Sequence, residues 1–572
     1  MLVATPSRLL ARVCRSLSRG GMALWVTLWL AQTVHGAMPD LSTTVEMQDS
    51  LQLTTDVFFP HGDGPWPAAL HRTPYGRSTQ WGNASAFTDR GTVFVVQDIR
   101  GGVISGDQWV PFLDDGWGAN QDGYDTVQWI AGQSWSNGDV LMDGYSASAI
   151  TGLLAAGAAP PALRGVQANT GAGNIYRDVA FPGGPFRRSL VEGYLEQVNN
   201  LGVIDEVVAH ARRDSFWDPV DLTMRFSVVD VPILQVSGWF DMYVNAGFDS
   251  LLGIDALGVG NARGRQILIV GPWTHGRIGQ REQGDLIYPE NALFPNGLGV
   301  MITQFTEAVI RGGSPEVFDE PRINYYLMGD VDDPEAPGNE WLTAESWPPP
   351  HEMTALYLHG NGALSEAAPL ATESPSTSYV SDPQSSIPTV GGANLFTSNG
   401  PRNQALLLLR SDLLYFITDV MPRPRSVIGP ITARLFVSST APDADFLVKL
   451  CDVYPDGRVI LMAEGAVQAR RRNGEDQEDL MVPGEICSLD IDLGQLALSF
   501  NTGHRCAIII ASSNDPRFEV NPQTGAPLML DDPVTQIATH TIHHSPAYPS
   551  AISLPISNEF LMDTVPQGLG LR

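Results

Sequence analysis

Asp139-Val-Leu-Met-Asp-Gly-Tyr-Ser-Ala-Ser-Ala-Ile-Thr-Gly-Leu-Leu-Ala-Ala-Gly157 divides into three pieces. Val140, Leu141 and Met142 form a short apolar run that predicts a buried strand. Gly144-Tyr145-Ser146-Ala147-Ser148 predicts a tight turn, and Ala149 to Ala156 a small-residue helix. A strand, a sharp turn with serine at its tip and a helix is the local plan of a nucleophile elbow. Such a turn crowds strand against helix, so it needs small residues two positions before and after the serine. Gly144 and Ser148 meet that need, although the second position is ordinarily glycine. The same residues also fit a plain helix N-cap at Ser146, and the stretch alone does not choose between the two.

Working outward, the surrounding chain alternates strand and helix signals. Val45 to Phe59 predicts a hairpin turning at Asp49-Ser50, and Pro67 to Tyr75 and Thr92 to Asp98 predict strands. Tyr124 to Ala131 predicts a helix and Leu163 to Asn169 a further strand. After an interval, Val231 to Ser237 and Gln266 to Val270 predict strands, with helices over Val244 to Leu257 and Val300 to Arg311. This alternation predicts an open α/β sheet. Between its halves, Leu190-Val191, Tyr194-Leu195, Val198 and Leu201 recur at helical spacing, as do Ile204, Val207-Val208 and Ala211. That predicts a helical cap over 175–229, inserted between hydrolase-type segments 38–174 and 230–320. From 321 to 572 the pattern becomes many short strands broken by Pro and Gly, which predicts an all-β sandwich or jelly roll. Within it, Asp456-Gly457 marks a hairpin turn and 360–403 a long loop excursion.

Composition narrows the function. The 572 residues exceed one core and predict two or three domains. A formal charge of −29 argues against nucleic acid or an anionic membrane surface as partner, because both select basic patches. Lys449 is the single lysine. Residues 1–37 carry Arg8, Arg12, Arg15 and Arg19, then an apolar run from Met22 to Ala31 and small residues near Ala37. This is the pattern of a signal peptide or other targeting segment, and it predicts a secreted or periplasmic protein. The apolar run is too short for a stable membrane span. Cys14 falls in the leader, and Cys451, Cys487 and Cys506 lie late; they fit neither a disulfide framework nor a zinc site, and one bridge among the three is left open. No cofactor or metal is expected.

A serine becomes a nucleophile when an imidazole takes its proton, and a carboxylate must fix that imidazole. In α/β-hydrolases these groups follow the chain order Ser, acid, His. Ser146, Asp241 and His275 have this order, and each lies just past a predicted strand, where open sheets build their sites. Ser148 is a weaker nucleophile candidate, with Ser146 rather than Gly before it. Asp249 and Asp255 fall inside a predicted helix, and His210 falls in the cap. Trp239, Phe240, Tyr243, Trp273 and, from the cap, Tyr194 are candidates to line an apolar substrate pocket; each fits packing equally well.

Longer motifs carry a family resemblance. Arg72-Thr-Pro-Tyr75, Val96-Gln-Asp-Ile-Arg-Gly101, Asp122-Gly-Tyr-Asp-Thr-Val-Gln-Trp129, Gly238-Trp-Phe-Asp241 and Gly271-Pro-Trp-Thr-His275 accompany the elbow. Ala441-Pro-Asp-Ala-Asp-Phe446, Asp452-Val-Tyr-Pro-Asp-Gly457 and Ser512-Ser-Asn-Asp-Pro-Arg-Phe518 continue them. The chain after residue 40 thus resembles the cocaine esterase-like hydrolases, relatives of X-prolyl dipeptidyl aminopeptidases and α-amino-acid ester hydrolases. The resemblance implies an α/β-hydrolase domain, a helical cap and a C-terminal jelly roll. It also implies a triad of Ser146, Asp241 and His275, with an oxyanion hole made by the Tyr75 phenol and the Ala147 backbone N–H. The family elbow usually reads Gly-x-Ser-Tyr-x-Gly, whereas Ala147 and Ala149 stand at its tyrosine and final glycine here.

No carboxylate pair for a substrate ammonium group is evident, so a small-molecule carboxylic ester is the expected substrate. An amide or X-Pro peptide substrate, acyl transfer, and a binding protein with a vestigial triad are the alternatives. The sequence leaves open whether the chain forms a homo-oligomer.

Overall fold

The computed structural model describes residues 38–103, 109–313, 315–531 and 533–557. The targeting segment expected over 1–37 lies outside them. A ten-stranded sheet forms the catalytic half. Its elements are β1 (Leu41–Glu46), β2 (Gln52–Phe58), β3 (Trp66–Thr73), β4 (Val93–Asp98), β5 (Ser136–Tyr145), β6 (Leu163–Asn169), β7 (Ile233–Phe240) and β8 (Ile267–Thr274). A short hairpin of β9 (Glu282–Gln283) and β10 (Leu286–Ile287) follows, then β11 (Ile323–Leu327) and β12 (Glu340–Ala344). The spatial order is β1-β2-β4-β3-β5-β6-β7-β8-β11-β12. From β4 through β11 neighbouring strands run parallel. Buried on both faces, they read as near-continuous apolar runs rather than alternating ones; β4, β7 and β8 are buried at every residue.

Helices α1 (Ala84–Thr88), α2 (Asp122–Ala131), α3 (Ala147–Ala158), α6 (Val244–Leu257) and α7 (Leu298–Ile310) flank this sheet. Between β6 and β7 the chain carries α4 (Arg188–Gln197) and α5 (Ile204–Ala209) with short 3₁₀ and π turns, and no strand of either sheet. The segment packs Leu190, Val191, Leu195, Ile204 and Trp217 in one apolar cluster with Ala147, Ile150 and Tyr243. The cap is thereby seated over the elbow.

The first strand of the stretch expected to be all-β, Ile323–Leu327, does not open the β domain. It is β11, parallel to β8 and antiparallel to β12, so the catalytic sheet continues past the boundary expected at 321. A short apolar run reads alike in either setting, and only its pairing partner distinguishes them. The β domain proper is two packed sheets. One is centred on Arg425–Ser439 and the other orders Leu414–Ile417, Arg505–Ala511, Asp445–Val453 and Val459–Gln468. Gly457, at φ +93°, closes the hairpin joining the last two. The two halves share one core, in which Trp239 and Phe248 stack on Trp347. Cys451, Cys487 and Cys506 are free thiols.

Candidate active site

The elbow is a strained turn. Ser146 sits at φ 57°, ψ −122°, between the end of β5 and the first residue of α3. A non-glycine residue there stores about 1–3 kcal/mol and is held by its surroundings. The Ser146 N–H donates to the Asn169 carbonyl at 2.9 Å, tying the turn to β6. A side chain at Gly144 would bring its Cβ to 2.2 Å from the Ser148 carbonyl oxygen, which accounts for glycine two residues before the serine. Ala149, where the resemblance would place glycine, is accommodated from the other side. A Cβ on Gly171 would lie 2.9 Å from that of Ala149, so the missing methyl has moved across the contact.

The turn aims Ser146 at His275. The Ser146 Oγ lies 2.8 Å from His275 Nε2, and His275 Nδ1 lies 2.9 Å from Asp241 Oδ1. Asp241 and His275 are almost fully buried, and each follows the carboxyl end of its strand, β7 or β8. The second Asp241 oxygen accepts from Ser237 Oγ at 2.9 Å, and the first also accepts from the Tyr243 N–H at 3.2 Å. The histidine loop is fixed by buried Gln283, whose Oε1 accepts from the Thr274 N–H and hydroxyl, each at 2.9 Å. The Tyr145 phenol donates to the His275 backbone carbonyl while its ring leans on the imidazole, centroids 5.5 Å apart.

On the other side of the serine stands the Tyr75 phenol, near enough for Ser146 to act on its ionisation. Burial pushes that phenol up to about 12, a shift Ser146 only partly offsets. It is therefore a neutral donor throughout the neutral range. Ala147 begins α3, and the first N–H groups of a helix have no intrahelical acceptor. A phenol and a helix N-terminus thus flank one hydroxyl that contacts an imidazole on a carboxylate.

Two buried arginines shape the ground under Tyr75. Arg72 donates from Nε to Gln97 at 2.7 Å and pairs with Asp115. Arg100 grips Asp122 and Asp49, at 2.7 Å and 2.5 Å. The motifs at 72–75, 96–101 and 122–129 therefore form one ion network at the carboxyl ends of β3 and β4.

Comparison with known proteins places this architecture. The model of the X-Pro dipeptidyl-peptidase (S15 family) matches residues 49–202 and 189–277, and that of the X-Pro dipeptidyl-peptidase C-terminal non-catalytic domain matches 315–553. The cocaine esterase of Rhodococcus sp. (strain MB1 Bresler) is 31% identical over 90% of this chain and 97% of its own length. The chain belongs to this family of serine hydrolases. Its fold is also that of a solved α-amino-acid ester hydrolase (TM-score 0.78, 23% identity, covering 94% of this chain and 100% of the other). An aminopeptidase from a marine sediment Thaumarchaeota archaeon matches similarly (TM-score 0.76, 23% identity, 90% and 96% covered).

Not every candidate drawn from sequence stands at the site. Tyr243 packs edge-on against His275, and Tyr194 lies edge-on to Tyr75 and stacked on Phe112. Trp273, expected in the pocket, is instead core: it is fully buried and packs on Trp341. Trp239 donates its indole N–H to the Tyr326 carbonyl at 2.7 Å and stacks between the domains. Phe240 faces a cavity behind the site. Strand alternation would put Trp239 and Trp273 on the same face as the acid and base two residues on, but Asp241 and His275 lie just past the strand ends, where that alternation no longer holds. The rival candidates are engaged elsewhere. Asp249 pairs with Arg177, Asp255 with Arg322, and His210 with Asp214. Ser148 is buried within α3. Ser237, Gln283 and Tyr145 were not singled out from sequence; the signal for Ser237 was its place on the strand leading into Asp241. Among the described residues no group of three or more His, Cys, Asp or Glu side chains is set to hold a metal ion, and no helix is long and apolar enough to cross a membrane.

Proposed function

We propose that the protein hydrolyses a carboxylic ester through an acyl-enzyme, with Ser146 as nucleophile, His275 as base and Asp241 as the acid that orients it. The observation that carries this reading is the continuous hydrogen-bonded chain from Ser146 Oγ through His275 to Asp241. His275 takes the serine proton as Oγ attacks the ester carbonyl, and Asp241 stabilises the imidazolium that forms. The Tyr75 phenol and the Ala147 N–H receive the developing oxyanion, His275 protonates the departing alcohol, and water then releases the acid by the same route.

The surroundings favour an ester of an apolar acid. Ile99, Phe112, Ile150, Ala172, Tyr176 and Met242 pack in one cluster with Ala147, Tyr75 and Tyr194. The family match to X-Pro dipeptidyl-peptidases supports a second reading, cleavage of an X-Pro amide by the same groups. Ser146→Ala tests both. Turnover of aryl esters and X-Pro anilides is expected to fall about 10³–10⁶-fold while the circular dichroism spectrum is unchanged. Activity retained in the variant would refute the assignment, and the wild-type substrate panel separates ester from amide.

A further inference from the structure

Behind the segment that carries Asp241 lies a cavity of about 370 Å³, walled by the catalytic sheet, the cap and the β domain. Phe240 to Met242 form one wall, Arg187 comes from the cap, and Arg517 and Glu464 from the sandwich. Both arginines are about 95% buried, and each leaves its Nε without a hydrogen-bond partner. A guanidinium cannot relieve burial by losing its proton, so it requires a counter-charge.

Seven carboxylates stand on the wall, but none of them forms an ion pair with Arg187 among the described residues. Arg187 donates instead to the Asp178 backbone carbonyl at 2.9 Å. The carboxylates acting on it from a distance, Asp178 and Asp241, are already committed. Asp178 accepts from the Asn174 N–H and meets Arg177, and Asp241 holds His275, Ser237 and Tyr243. Arg517 pairs with Glu464, but the same carboxylate also meets Lys449 at 3.3 Å and Asn514 at 3.1 Å. Arg187 is itself a positive charge acting on Arg517. Arg187 and Arg517 therefore repel each other in the wall, and the one carboxylate paired with Arg517 is shared with Lys449, whose ammonium burial pushes down to about 7. The other acids of the wall are used elsewhere. Asp249 pairs with Arg177 and Asp490 with Arg434, Asp492 accepts from the Gly494 N–H, and Glu475 faces Arg177 and Arg213. Gly392 keeps the wall open: a Cβ there would lie 1.7 Å from Glu464 Oε1 and 3.0 Å from Arg517 Nη1.

We propose that this interdomain cavity binds a small oxyanion of the carboxylate class between the Arg187 and Arg517 guanidinium groups. The volume admits an aromatic acid, and guanidinium matches carboxylate geometry with paired hydrogen bonds. The occupant joins cap to sandwich directly behind the Asp241 segment.

Thermal unfolding of the full chain at constant ionic strength tests the site, with sodium benzoate, sodium acetate and inorganic phosphate as probes. Benzoate or acetate is expected to raise Tm saturably, by about 2–3 °C at a hundredfold excess over Kd. Arg187→Gln is expected to lose the shift. Ala393→Phe, which fills the cavity and keeps both arginines, is expected to lose it as well, so the test survives if the arginine variant fails to fold. Enzyme with Ser146 blocked by a fluorophosphonate is expected to keep it. A shift equal in wild type and variants is a general salt effect and overturns the site. A shift lost on blocking Ser146 places the acid at the hydrolytic serine and overturns it too. A response to phosphate alone overturns the carboxylate class.

Discussion

Replacing Tyr75 with Phe isolates one atom of the site. The phenol oxygen stands beside Ser146, while the ring packs edge-on against Tyr194 at 6.5 Å and would be retained. The variant therefore removes one of the two proposed oxyanion donors and little packing. A donor aimed at charge that develops in the transition state is worth about 2.7–4 kcal/mol, or roughly 10²–10³ in kcat. The carbonyl oxygen of bound substrate carries little charge, so KM is expected to stay within about threefold of wild type. The pH profile should keep its shape. Tyr75 is held near 12, so it remains a protonated donor across about pH 6–10, and its loss lowers the whole curve without moving either limb. The assay is steady-state hydrolysis of an aryl ester across that range. A fall in kcat under about fivefold, a loss confined to KM, or a shifted alkaline limb would refute the role given to the phenol.

Tyr145→Phe removes the donor that holds the His275 carbonyl but keeps the ring against the imidazole; kcat is expected to fall about 2–10-fold at constant KM, the worth of one hydrogen bond. An unchanged kcat would show that the loop is held without it. Gly144→Ala sets a methyl carbon 2.2 Å from a backbone oxygen, which side-chain motion cannot relieve. The denaturation midpoint should drop by the equivalent of about 3 kcal/mol, and a drop under about 0.5 kcal/mol would contradict the crowding argument. His504 bridges Asp452 at 2.9 Å and Asp330 at 3.1 Å, tying the sandwich to the chain just after β11. Burial favours its neutral ring, but the two carboxylates outweigh burial and raise it above its ordinary value. Its contribution is then complete below about pH 6.5 and lost as pH rises through the raised value. His504→Gln should lower Tm more at pH 6 than at pH 9; a gap that widens with pH would be inconsistent with a charged bridge.

Patterns set by one segment were legible in the sequence, and those set by pairing were not. Strong helical period gave α6 at its observed bounds, Val244–Leu257. Chain order after buried strands brought Ser146, Asp241 and His275 together as candidates, and the structure puts them in hydrogen-bond contact. The resemblance supplied Tyr75, which no local pattern marks. The outlook was poorer wherever strand partner or side-chain direction decided. The run at Tyr325 is as apolar as a sandwich strand, yet pairs with β8. Trp239 and Trp273 stand near the acid and the base in sequence, yet Trp239 stacks on Trp347 and Trp273 packs on Trp341 in the core. Gln283 serves the site through a hairpin turn that composition does not reveal.

The elbow departs from its relatives in where the aromatic bulk stands. The family motif usually carries tyrosine after the serine; here Ala147 takes that place and tyrosine precedes the serine as Tyr145. The two positions face different partners. The residue after the serine begins α3 and packs with Phe112, Ile150 and Tyr176 under the cap, so alanine there removes a ring from the acyl side. The residue before it ends β5, and its phenol donates to the backbone carbonyl of His275. The backbone donor of Ala147 is untouched by the exchange, because an N–H does not depend on its side chain. Oxyanion binding and proton transfer can thus stay as in the family while the space for the acyl group differs. On the proposed reading, substrate choice is expected to follow the cap-facing cluster around Ala147 and Tyr194 rather than the triad.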